Sequence, residues 1–169
     1  YKRQDFKSGI TLKSFFTSLK QSDGAHGGDF HYVSPNTDLL AWLFERASGK
    51  RYTDLLSEYL WKPLGAERPA YITVDRIGGM RAAGGICMTP RDLGRLGLLL
   101  AQNGTRCGQQ IIPQAWIADL YEGGERAAWE NGSFKDFFAG KAMHYRSKWY
   151  VCHDSGPLLH GFGIHGQYL

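Results

Sequence analysis

Leu12, Phe15, Phe16 and Leu19 recur at the three-and-four spacing of a helix, and Thr11 marks its start. The same periodicity returns at Leu39, Leu40, Leu43, Phe44 and Ala47. These follow the turn-and-cap residues Ser34, Pro35, Asn36 and Thr37 and precede a stop at Gly49. A third helix is expected from Thr53 through Trp61, ending before Pro63 because proline disfavours helix in the residue ahead of it. A fourth starts at Thr89, with Pro90 at its first position and Asp92 three residues after the cap. Leu93, Leu96, Leu99 and Leu100 are its predicted buried stripe, and Asn103-Gly104 closes it. Strand signals are shorter. Pro69 to Gly79 reads as extended around Tyr71-Ile72-Thr73-Val74, Ile111 to Tyr121 as a short strand and helix, and Tyr145 to Cys152 as one strand before a turn at Gly156-Pro157. A glycine-rich loop is expected over Gln21 to Asp29. A second, also aromatic, is expected over 123 to 144 and would flank a pocket.

Composition puts these elements in one globular domain: 169 residues, 43% of them hydrophobic, bury roughly 70% of the unfolded surface. Basic residues number 20 against 16 acidic ones, and much of the net charge of +4 lies in residues 1 to 20, where Lys2, Arg3, Lys7, Lys13 and Lys20 face only Asp5. So small an excess argues against a nucleic-acid partner. The basic amphipathic first helix is expected to pack on the core rather than on a membrane, and no run of 18 apolar residues offers a transmembrane span. Cys87, Cys107 and Cys152 are odd in number and widely spaced, which makes neither a disulfide framework nor a metal motif. Reduced thiols favour the cytoplasm; the first residues lack the apolar core of a signal peptide, but for a partial domain that says nothing about secretion, and a periplasmic or secreted location stays open. His26 with His31, and His160 with His165, miss the i, i+4 spacing that places two imidazoles on one helix face. No zinc, other metal or cofactor is expected.

The chemistry enters at Tyr32, which stands in a turn immediately ahead of the second helix. A phenol held rigidly there is suited to proton transfer, since the helix fixes its position. The run Tyr32-Val33-Ser34, with Leu39 and Leu40 seven and eight residues after the tyrosine, resembles the second motif of the serine β-lactamase and penicillin-binding-protein superfamily. The likeness is to its class C-like branch, which includes esterases and 6-aminohexanoate-dimer hydrolases. Ser34 occupies the place where β-lactamases proper usually carry Asn, which points toward the esterase or amidase branch. Ala83-Gly84-Gly85, then Thr89, Asp92-Leu93 and an apolar helix, is similar to a later stretch of the same superfamily.

The chain closes on Gly161-Phe162-Gly163-Ile164-His165-Gly166-Gln167. Its Gly161-x-Gly163-x-x-Gly166 spacing matches a dinucleotide fingerprint on paper, yet only three residues follow, too few for the helix that motif needs. The same residues resemble the superfamily's third motif, an edge-strand tripeptide reduced here to Gly161-Phe162-Gly163 and lacking its usual Lys or His. That resemblance implies that the Ile164 N–H is an oxyanion donor and Gly163 a substrate contact. It also implies that Ser34 binds substrate. His165 reads as a polar wall residue of the pocket or simply as a satisfied surface histidine. Loss of the Lys argues against β-lactam recognition, while a backbone donor survives it.

The superfamily's nucleophile lies in Ser-x-x-Lys, and no Ser of this chain has Lys three positions later. Residues 1 to 169 are therefore expected to form one partial domain, lacking the nucleophile segment upstream and the last strands and helix. The implied fold is α/β, of the α+β kind: a β-lactamase-like helical domain beside an antiparallel sheet, incomplete at both ends. The implied reaction is hydrolysis of a small-molecule amide or ester through an acyl-enzyme. Ionising a phenol at neutral pH costs about 4 kcal/mol against its ordinary value near 10, a task for the motif lysine. Two rivals stand beside this: a binding or sensor domain that kept the fold without the chemistry, and a nucleotide-binding protein using Gly161 to Gly166.

Overall fold

The computed structural model describes residues 9–20 and 27–169. Lys2, Arg3, Lys7 and the loop expected over Gln21 to Asp29, apart from its last three residues, lie outside these. Helix α1 (Leu12–Ser18) begins as its sequence requires. The Thr11 hydroxyl accepts from the Ser14 N–H at 3.1 Å, and the Ser14 hydroxyl accepts in return from the Thr11 N–H at 2.9 Å. Leu12 is buried and Phe16 stacks on Trp42 at 6.4 Å, which makes this a packing helix, although Leu19 stays exposed.

Helix α2 (Pro35–Ser48) ends at Gly49, whose left-handed φ of 69° suits a residue without Cβ. Ser34 is already helical, and its side chain caps nothing. The buried face also differs from the predicted one. Asp38 and Ala41 point inward, while Leu40, Leu43 and Phe44 are 41%, 51% and 48% exposed. Asp38 Oδ1 accepts from the Ala83 N–H at 2.8 Å, and Oδ2 lies 3.6 Å from Arg81. Those bonds pull the helix round, because a buried carboxylate must keep its partners while a leucine loses only transfer energy on exposure.

Pro63 does not end the third helical stretch. Helix α3 (Tyr52–Leu56) runs through one π-turn, Ser57–Trp61, into α4 (Lys62–Leu64), with Gly65 at φ 66° as the stop. The wider turn, in which the Lys62 N–H reaches Ser57 O, accommodates a ring that would clash in a regular helix. Strand β1 (Tyr71–Ile72) pairs antiparallel with β2 (Ile86–Cys87). Helix α5 (Pro90–Ala101) is capped by Thr89 as predicted, but Leu99 and Leu100 are its fully buried leucines, with Leu93 and Leu96 half-buried. A small hairpin, β3 (Thr105–Arg106) with β4 (Gln109–Gln110), precedes α6 (Gln114–Glu122). The strand expected at Ile111 thus lies just before it. The region 123 to 144 is more than a loop, since α7 (Arg126–Glu130) places Trp129 in the core at 2% exposure.

Tyr145 to Cys152 is a hairpin, not one strand. Strands β5 (Met143–Arg146) and β6 (Trp149–Cys152) are joined by Ser147 and Lys148, both at positive φ (47° and 75°), and β7 (Leu158–His160) completes a three-stranded antiparallel sheet. Two successive positive φ values twist a two-residue loop in the sense a hairpin needs. The sequence hid it because Ser-Lys carries no glycine or asparagine. Alternation divides the sheet. His144, Arg146, Trp149 and Val151 form one face, which meets α6, while Met143, Tyr145, Tyr150 and Cys152 form the other, which meets Phe30, Trp129 and Phe134.

Candidate active site

Tyr32 sits where the aromatic face of the sheet meets the start of α2. Its ring lies 5.4 Å from Phe134 and 6.1 Å from Tyr145, and the residue is 43% exposed. The segment before it is pinned on both sides. The Phe30 N–H donates to Ala128 O at 2.8 Å, and Phe30 O accepts from the Ser133 N–H, also at 2.8 Å. Two further phenols border Tyr32 and are far more buried. Burial, with the neighbouring Tyr32 adding to it, pushes Tyr150 up to about 12 and Tyr145 higher still. Both therefore remain neutral hydroxyls, and Tyr32 is the one of the three with broad solvent access.

Two cavities meet at Tyr32. One, of about 400 Å³, is lined by Tyr32, Phe134, Phe138, Phe162, Gly163 and Ile164 among others, and no lining side chain carries a charge. The other, of about 260 Å³, is polar and includes Tyr32, Ser34, Asn36, Thr37, Gly84 and Lys148. Thr73, just after β1, and the loop at Arg81 hold Gly85 close, since a Cβ there would fall 2.3 Å from Thr73 Oγ1 and 2.4 Å from Arg81 O. Asp38 fastens the same loop to α2 through Ala83.

The closing glycines are not part of β7. Gly161 and Leu169 exchange both backbone hydrogen bonds, the Gly163 N–H donates to Gln167 O at 2.7 Å, and the Gly166 N–H donates to Gly163 O at 3.0 Å. Ile164 consequently occupies the tip of a tight turn, not an edge strand, and is 95% exposed. Its N–H makes no hydrogen bond among the described residues. Gly166 lies inside this hairpin and not at the mouth of a helix, so the dinucleotide spacing does not sit on a strand-to-helix turn.

Of the residues singled out in the sequence, Tyr32, Gly163 and Ile164 share the aromatic cavity and Ser34 shares the polar one with Tyr32. His165 is a surface histidine, the second of its two readings, and not a wall residue. It is exposed on the outside of the turn, lines neither cavity, and donates its backbone N–H to Gln167 Oε1 at 3.1 Å. Phe134, Phe137 and Phe138 were legible as an aromatic run beside a pocket. Lys148 carries no such signal, because the pattern from Tyr145 to Cys152 is that of a single strand. Among the described residues no cluster of three His, Cys, Asp or Glu side chains is spaced to hold a metal ion, the three cysteines are free, and no helix is long and apolar enough to cross a membrane.

Helices packed beside antiparallel pairings make a mixed α/β protein, and Tyr32, Gly163 and Ile164 line one of its cavities. The chain belongs to the beta-lactamase family, whose profile matches residues 16–168. It is 39% identical over 155 residues to the 6-aminohexanoate-dimer hydrolase of Paenarthrobacter ureafaciens, a match covering 92% of this chain and 38% of that protein. A Bacillus anthracis protein proposed to be a 6-aminohexanoate-dimer hydrolase superposes with a TM-score of 0.81 at 27% identity, over 94% of this chain and 39% of that one. An octameric penicillin-binding protein homologue from Pyrococcus abyssi shares the fold, with a TM-score of 0.66 at 16% identity, over 89% of this chain and 37% of its own. The chain thus spans less than two-fifths of the length of these relatives.

Proposed function

We propose that this chain supplies the proton-transfer phenol and one oxyanion donor of a serine hydrolase acting on amides or esters. Tyr32 carries the proton between nucleophile, leaving group and water, and the Ile164 N–H holds the carbonyl oxygen as charge develops on it. A Ser-x-x-Lys segment, absent from these 169 residues, provides the attacking hydroxyl and the cation that favours the ionised phenol. The observation that carries the reading is the meeting of Tyr32 with Gly163 and Ile164, distant in sequence, around one cavity. The name of the Paenarthrobacter relative adds weight to a linear amide as substrate. The nucleotide reading loses its support in the hairpin at 161–169.

Tyr32→Phe in the intact protein tests the assignment. The ring and its contacts with Phe134 and Tyr145 stay, the hydroxyl goes, and turnover is expected to fall about a hundredfold or more with the melting temperature unchanged. Unaltered turnover would remove Tyr32 from the chemistry, and a protein silent toward amides and esters before the substitution would favour the binding-domain rival.

A further inference from the structure

Three walls enclose the polar cavity beside Tyr32. The entry to α2 gives one, in His31, Tyr32, Val33, Ser34, Asn36 and Thr37, and the β5–β6 hairpin gives a second, in Tyr145 and Lys148. These two meet directly, since the Tyr32 and Tyr145 rings lie 6.1 Å apart. The third wall is the loop of Ala82, Ala83 and Gly84, which carries no side chain larger than a methyl group. The two ends of that loop are tied to the residue after β1: the Arg81 N–H donates to Thr73 O at 2.9 Å, and Gly85 O accepts from the Thr73 N–H at 2.9 Å. Between those ends, the one hydrogen bond that reaches the loop backbone among the described residues runs from the Ala83 N–H to Asp38 Oδ1, at 2.8 Å.

Packing alone does not call for a carboxylate at position 38. Asp38 is 5% exposed on an otherwise apolar inner face of α2, beside Ala41, where an apolar side chain would avoid the desolvation of a charge. Both of its oxygens face one loop instead, Oδ1 at the Ala83 N–H and Oδ2 at 3.6 Å from Nε of Arg81, the residue that opens the loop. A charge-assisted bond to a backbone N–H is short and directional, so it fixes the separation of the two elements that it joins. One of them, α2, begins three residues after Tyr32, and the other is the cavity wall that Tyr32 faces. We propose, resting on the hydrolase reading above, that Asp38 is a positioning residue of the reaction. It sets the width of the polar cavity across Tyr32, and so the fit of the half of the substrate that lies there, while lining none of that cavity itself.

Hydrogen exchange and steady-state kinetics of the intact protein, with nitrophenyl hexanoate as substrate, test this together. In Asp38→Ala the amides of 82–84 are expected to exchange about tenfold faster or more, while those of α2 from Ala41 onward keep their rates. KM is expected to rise about tenfold with kcat within about threefold of native. A residue needed only for stability would lower the melting temperature of the protein and leave the KM of its folded fraction alone. Asp38→Asn keeps an oxygen for the Ala83 N–H and should hold KM within about threefold of native. Asp38→Glu keeps the charge but displaces it by one methylene; it should raise KM as Asp38→Ala does, and it takes the place of that variant if Asp38→Ala does not fold. Native KM in the folded Ala or Glu variant, unchanged exchange at 82–84, or an Asn variant as impaired as the Ala one would overturn the proposal. The hydrolase reading fails separately, through unchanged turnover in Tyr32→Phe, and the exchange rates would still decide whether Asp38 holds the loop.

Discussion

The two faces of the three-stranded sheet solve opposite problems. Toward α6 two imidazoles and a guanidinium have found partners. The His144 Nε2–H donates to Leu120 O at 2.8 Å, His153 Nε2–H donates to His144 Nδ1 at 2.9 Å, and Arg146 grips Asp119 with two bonds. Leu120, Ile117 and Val151 beside them are at most 1% exposed. The tautomers follow from the carbonyl, which can only accept, so His144 Nδ1 is left as the acceptor. On the opposite face the packing is ring against ring, from 4.6 Å between Phe30 and Tyr145 to 6.4 Å between Phe134 and Tyr150, and it ends in open space with Phe137 81% exposed. Flat rings meeting at varied angles leave gaps that branched aliphatic chains fill. One face is closed by interdigitation and satisfied bonds, and the other keeps a cavity because rings cannot close it.

That contrast is broken most severely at Leu120. Leu120→Ala is expected to cost about 2 to 5 kcal/mol, read from denaturant midpoints of the intact protein, with turnover of the surviving folded fraction intact. A loss of turnover without a loss of stability would mean that the α6 side takes part in the chemistry. Next in size, Tyr32→Phe loses a hundredfold in turnover, about 2.7 kcal/mol of barrier, while leaving stability alone.

The closed face should also titrate. Burial, then the neighbouring His144 and Arg126, holds His153 below its ordinary 6.5. The unfolded chain then takes up more protons than the folded one as pH falls below about 6.5, so the stabilisation is present above that pH and lost beneath it. Melting temperature is expected to drop between pH 7 and pH 5 and to drop less in His153→Gln; identical profiles would show that His153 takes up its proton as readily in the folded chain as in the unfolded one. The smallest change belongs to the open face. Phe137→Ala should shift stability by under about 1 kcal/mol, because the residue is mostly solvated already. It should raise KM for substrates with long acyl chains more than for acetyl esters, and an equal effect on both would take Phe137 out of the acyl cavity.

Much of the local structure was written in the chain. Thr11 and Thr89 announced their caps, Gly49 its stop, and Tyr71 to Val74 their extension, since each depends on neighbours within a turn or two. Tyr32 could be singled out because it precedes a helix start at readable spacing. What failed were statements about which side of an element is covered. The leucines of α2 turned outward because Asp38 is bound from a loop 45 residues away. The hairpin at Ser147-Lys148 formed because cross-strand pairs such as Tyr145 with Tyr150 bury enough surface to hold two residues at positive φ without glycine. The sequence by itself determined the caps, the candidate phenol and the family likeness. Only the tertiary structure decided that Ile164 tips a turn beside Tyr32 and that Lys148 borders the same residue from the other side. Periodicity and capping act over a few residues, whereas a cavity is made by elements whose separation in the chain carries no local signal.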